Sequence, residues 1–225
     1  MRLKLAYFLL SFVSFFLFTF FSYTVAKEYW QQIDFDTTVK LQDRIPRIYD
    51  ETFSYFSFLG SAEITLGIAL IMSFLSLIRK KFLAFWGWLV IFPASGFEVL
   101  GKLLIFHPAP PVLFHRSIIE THLPSFYIHT NFSYPSGHIT RTAFLVTVLI
   151  LWTLSSKRNY FTKLLLIGIF VGFGAIMAVT RVYLGEHWLS DVLGGGLLGS
   201  AAGFLAFVLI IPKKVGNMTV AALGR

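Results

Sequence analysis

Thr180-Arg181-Val182-Tyr183-Leu184-Gly185-Glu186-His187-Trp188-Leu189-Ser190-Asp191 decides how this chain is read. It carries an arginine, a histidine and an aspartate between two strongly apolar runs. Arg181 lies six residues before His187, and Asp191 lies four after it. With a helix from His187 onward, the histidine and the aspartate share one face, one turn apart. A carboxylate there can accept a ring N–H and fix which imidazole nitrogen is free. Such groups at the mouth of a membrane span are costly unless they pair or act. A second polar stretch, Pro135-Ser136-Gly137-His138, opens another apolar run.

Those apolar runs set the class. Of 225 residues, 56% are hydrophobic, 18% aromatic and only 13% charged. The mean hydropathy is +0.73. These values exclude an ordinary soluble domain and indicate a membrane protein. There is no cysteine, which excludes disulfides and thiolate metal sites. The net charge of +8 does not indicate nucleic acid, because the basic residues fall in short groups between apolar runs.

The pattern predicts an all-α bundle of six membrane spans forming one domain over residues 1–225, with spans at about 5–24, 57–78, 82–106, 136–154, 161–182 and 188–211. The first run is longer than a signal-peptide core, so it reads as a retained anchor rather than a cleaved leader. Lys27 to Phe56 reads as an external segment with aromatic residues at the lipid headgroups. A long outer loop, 107–134, joins spans 3 and 4, and its prolines keep it from forming one helix. Gly195, Gly199 and Gly203, and likewise Gly168 and Gly172, recur every four residues and predict close helix packing in lipid.

The groups Arg2 with Lys4, Arg79-Lys80-Lys81, Lys157-Arg158 with Lys163, and Lys213-Lys214 contain no acidic residue. The positive-inside rule puts all of them, with both termini, on the cytoplasmic side of a cell membrane. Lys102, the 107–134 loop, His138, Arg181, His187 and Asp191 then share the outer face. Two imidazoles, fixed cations and the helix N-terminus at Ser136 and Gly137 suit a phosphate ester. His187 is the candidate nucleophile and His138 the candidate proton donor.

With these residues in view, the sequence resembles the type 2 phosphatidic acid phosphatase superfamily, whose motifs are KxxxxxxRP, PSGH and SRxxxxxHxxxD. The second stands at Pro135–His138, and the third at Thr180-Arg181, His187 and Asp191, with threonine for serine. The resemblance implies that His187 is the nucleophile, that Asp191 orients it, and that His138 protonates the leaving oxygen. It implies that Lys102, Ser136, Gly137 and Arg181 surround the phosphate, with no metal and no cofactor. The first motif departs: counting from Lys102, the family arginine falls on Ala109. Arg141, one turn after His138, is the first candidate to replace it, ahead of Arg116 and His107.

The implied activity is a membrane lipid phosphatase acting at the outer face. It would hydrolyse undecaprenyl diphosphate, phosphatidylglycerol phosphate or phosphatidate through a phosphohistidine, with the first slightly favoured. A non-catalytic lipid-binding or lipid-transport protein is the alternative, and a haloperoxidase-like oxidase ranks last. Glu98 and Lys102 read as an ion pair on span 3, with Lys102 also available to phosphate. Glu186 and the histidines at 107, 115, 122 and 129 read as solvated, and their spacing matches no compact metal pattern.

Overall fold

The computed structural model describes residues 2–118 and 132–211. Among them the helices are α1 (Arg2–Ala26), α2 (Gln31–Arg44), α3 (Asp50–Phe58), α4 (Ala62–Ile78), α5 (Phe82–Leu89), α6 (Ile91–Leu104), α7 (Gly137–Ser155), α8 (Tyr160–Tyr183) and α9 (Leu189–Ile210). Six stretches are long and apolar enough to cross a membrane: α1, 47–78, 82–104, α7, α8 and α9. The chain is therefore a multi-pass, all-helical membrane protein.

Local chemistry sets the helix ends. Ser61 caps α4 by accepting from the Ile64 N–H, and Asn159 caps α8 by accepting from Thr162. Pro93 has no N–H to offer Leu89, and the third span breaks there into α5 and α6. The 27–56 segment, read as an external stretch, is largely helical. It contains α2 and most of α3, and 47–78 is one interrupted hairpin-free helical run. The mixed polar faces of α2 gave no apolar stripe to read. Of the predicted outer loop, 119–131 lies outside the described residues, with His122 and His129, as do Lys213 and Lys214.

The bundle is centred on α9, which packs against α7, α1 and α5. The seam with α7 is close enough to exclude side chains. A Cβ on Gly195 would come within 2.6 Å of the Ser136 carbonyl oxygen, and one on Gly199 within 2.1 Å of Thr140's. One on Gly203 would lie 3.0 Å from Phe144's. Both helices step by four residues, so the seam is a ridge set into a ridge. Below it, Trp88, Ile91, Phe144, Val148, Ala206 and Phe207 form the main apolar core. Along α1, the Ser11 hydroxyl donates to the Ala201 carbonyl of α9 at 2.7 Å. Among the described residues, Cβ atoms added at Gly168 and Gly172 on α8 would meet nothing within 4 Å, so these residues show no close packing there.

Candidate active site

After α8 the chain must turn sharply to start α9. Gly185 makes the turn at φ +68, and a Cβ there would lie 2.2 Å from the Phe114 carbonyl oxygen. Only glycine suits both conditions. The His187 N–H then donates to the Arg181 carbonyl at 3.2 Å. His187 stands two residues before α9 rather than on it. Its pairing with Asp191 is therefore made by helix capping and not by a shared helical face. Asp191 reaches back from the third position of α9, where Oδ2 accepts the Trp188 N–H at 2.9 Å and lies 3.2 Å from His187 Nδ1. Held so, Nδ1 carries the proton and Nε2 is the nitrogen left with a free lone pair. Burial, then the positive charges of Arg181 and Lys102, hold the His187 imidazole well below the ordinary histidine range. Its neutral, nucleophilic form is favoured.

His138 opens α7 and lies within electrostatic reach of His187, Arg181, Arg141 and Lys102. Its ring packs beside Gly60, where a Cβ would come within 3.1 Å of Cδ2. Arg181, at the C-terminal turn of α8, is 1% exposed. It pairs with Glu186 and hydrogen-bonds the Ser57 hydroxyl of α3. Glu186 lies in the loop as its position suggested, with its side chain 33% exposed, and it also serves as the ion-pair partner of Arg181.

Glu98 is the centre of the cationic side. One carboxylate oxygen pairs with Lys102 at 2.9 Å, and the other with Arg141 at 2.9 Å. The expected pair with Lys102 is present, and Arg141 joins it. The same carboxylate lies against Gly137, where a Cβ would come within 2.2 Å of Oε1. A carboxylate thus occupies the N-terminal end of α7, where an anion is favoured. The Ser136 N–H is spent on the Asp191 carbonyl at 3.0 Å and cannot serve an anion. Its hydroxyl is buried and has no hydrogen-bond partner among the described residues. One cavity lies at the opposite end of the bundle by Trp88 and Trp152, and another runs along α7 and α9.

All eight residues singled out from sequence meet around this one end of the bundle. Sequence reasoning missed Ser57, Gly60 and the bridging role of Glu98. It also read His107 as solvated, whereas the ring is 5% exposed and packed against Ser190. Only the residue types at 98 and 141, one acid and one base on separate apolar helices, could have signalled that bridge. Among the described residues, no three His, Asp or Glu side chains form a metal-holding group.

The family model of the PAP2 superfamily matches residues 84–214, more than half the chain. Phosphatidylglycerophosphatase B of Haemophilus influenzae is 32% identical over 98 residues, which cover 41% of this chain and 40% of the relative. The match thus spans about two fifths of that protein. The PAP2-type phosphatidylglycerolphosphate phosphatase from Bacillus subtilis shares the fold at a TM-score of 0.68 and 21% identity, over 88% of this chain and 94% of that one. LpxE of Aquifex aeolicus shares it at 0.56 and 20%, over 78% and 94%. The matched span holds Lys102, Pro135–His138 and the whole Thr180–Asp191 stretch, and by it the chain belongs to the PAP2 superfamily.

Proposed function

We propose that this protein is an integral-membrane lipid phosphatase that hydrolyses a phosphate or diphosphate monoester at the outer face of the cell membrane. One observation carries the reading: the His187–Asp191 pair, His138 and three cationic side chains gather at one end of the bundle. In the first step His187 Nε2 attacks phosphorus. The bond from phosphorus to the lipid-side oxygen breaks, and that oxygen takes a proton from His138. In the second step water attacks the phosphohistidine, His138 receives the water's proton, and the P–N bond breaks to release phosphate. Lys102, Arg141 and Arg181 offset the charge on the phosphoryl oxygens. The proposed steps run without a metal, which the EDTA control below tests.

The basic turns at 79–81 and 157–163 lie at the other end of the helices from this site, which supports cytoplasmic termini and an outward site. A groove of about 530 Å³ runs along α7 and α9 toward Ile139 and Val192, the neighbours of His138 and Asp191. It would take the lipid tail laterally from the bilayer. The relatives' names favour phosphatidylglycerol phosphate as headgroup; the outward site also suits undecaprenyl diphosphate and phosphatidate.

A second reading, a lipid-binding protein without turnover, is favoured by one feature: Glu98 pairs with both Lys102 and Arg141 and offsets part of their charge. Phosphate release from a panel of the three lipids separates the two. The phosphatase reading expects turnover that survives EDTA and is abolished in His187→Ala. Binding without release supports the second reading, and turnover that persists in His187→Ala removes the mechanism.

A further inference from the structure

Next to the His187–Asp191 pair, four buried side chains form a polar cluster that none of the three motifs contains in full. Asp34 comes from α2, outside the span matched by the family model, and is 1% exposed. Its Oδ1 accepts the Ser190 N–H at 2.8 Å, and its Oδ2 accepts the Ser190 hydroxyl at 2.7 Å. That hydroxyl oxygen is 3.0 Å from His107 Nε2. The same ring nitrogen lies 3.5 Å from Asp191 Oδ1 and 3.7 Å from Asp34 Oδ2. Asp191 therefore has His187 at one carboxylate oxygen and His107 facing the other, with Ser133 alongside.

His107 is itself fixed in position. Its carbonyl accepts the Ser133 N–H at 3.0 Å. Pro108 forms an isolated antiparallel bridge with Phe132, and the Pro108 carbonyl accepts the Trp188 indole N–H at 2.7 Å. The ring of Tyr134 stands edge-on to the imidazole, 6.2 Å away. The segment that departs from the first motif is thus tied to both stretches that keep theirs.

We propose that His107 is a positioning residue for the Asp191–His187 pair, anchored by Asp34 of α2 through Ser190. The inference rests on reading His187 as the nucleophile. His107 donates Nε2–H to the Ser190 hydroxyl, which itself donates to Asp34, and the ring so fixed stands 3.5 Å from Asp191 Oδ1; as a wall beside that oxygen it restrains rotation of the Asp191 carboxylate and so keeps Oδ2 on His187 Nδ1. Burial holds the His107 imidazole below the ordinary histidine range against the pull of Asp191 and Glu28. A neutral ring restrains the carboxylate without cancelling the negative charge that a phosphorylated His187 needs beside it.

The test uses the full chain in detergent, with phosphate release from whichever lipid of the panel the wild type turns over. His107→Leu removes the donor, and His107→Gln restores an N–H at the same reach. Asp34→Asn loosens the anchor. Each variant is first checked for monodisperse elution and an unchanged melting transition. The expected result is a fall in kcat of roughly tenfold in His107→Leu at unchanged KM, with most of it recovered in His107→Gln. In an Asp191→Asn background, His107→Leu and Asp34→Asn should cost nothing further, because the group they position has already lost its charge. Wild-type kcat in His107→Leu overturns the inference, and so does a loss that multiplies in the Asp191→Asn background. If His107→Leu fails to fold, Asp34→Asn with and without Asp191→Asn decides by the same criterion. A wild-type protein that releases no phosphate overturns the phosphatase reading, and this inference with it.

Discussion

The two glycine ladders of this bundle have the same spacing and opposite structural meaning. On α9, Gly195, Gly199 and Gly203 bring the helix against the carbonyls of α7, at Ser136, Thr140 and Phe144. On α8, Gly168 and Gly172 face open space. The i, i+4 spacing permits close approach but does not require it; a partner helix must present its own matching ridge. The ladder that is used joins the two helices bearing His138 and Asp191. The unused one lies on the helix bearing Arg181, which reaches the site through side-chain bonds to Ser57 and Glu186. One half of the site is thus held by backbone packing and the other by ion pairs.

The sharpest way to break this contrast is Gly199→Ala. Even one methyl would come within 2.1 Å of the Thr140 oxygen. Overpacking of this kind costs about 1–3 kcal/mol, so the apparent Tm in detergent should fall by roughly 5–10 °C, with activity falling alongside. An unchanged Tm would mean that the seam opens without penalty. A smaller effect comes from acid, at the turn that joins α8 to α9. The lowered His187 pKa keeps the nucleophile neutral, so the acid limb of kcat/KM should lie below the ordinary histidine value of about 6.5. The sign for stability is the same. The unfolded chain takes up a proton near pH 6.5 that folded His187 refuses, so stability is full above that pH and declines below it. A limb at or above 6.5 contradicts the burial argument. The smallest effect belongs to the unused ladder: Gly172→Ala should leave turnover unchanged and raise stability slightly, by about 0.5–1 kcal/mol of helix propensity, with no fall in Tm.

The sequence was legible where local pattern and physics coincide. Six apolar runs, the Pro135–His138 stretch and the Arg181, His187, Asp191 spacing all report through length, period or position. What it hid depends on contacts without a period. Asp34 is one of three aspartates on a polar helix, and its role appears only when Ser190, more than 150 residues away, is folded onto it. Glu98 pairs with Lys102 by helical spacing, but its second partner, Arg141, is 43 residues distant. Even the His187–Asp191 pair was reached by the right spacing and the wrong geometry, since capping and a shared face use similar intervals.

The α7–α9 seam has a consequence for how Asp191 is aimed. Asp191 is four residues before Gly195, so it continues the row formed by the three glycines, and its carbonyl accepts from Ser136, the residue that Gly195 abuts. One residue deleted between Asp191 and Gly195 would leave every glycine seated. It would swing the carboxylate by about 100° around the helix axis. The direction of that side chain is stored as a count along the chain, and a frame-preserving deletion would misdirect it without loosening the bundle.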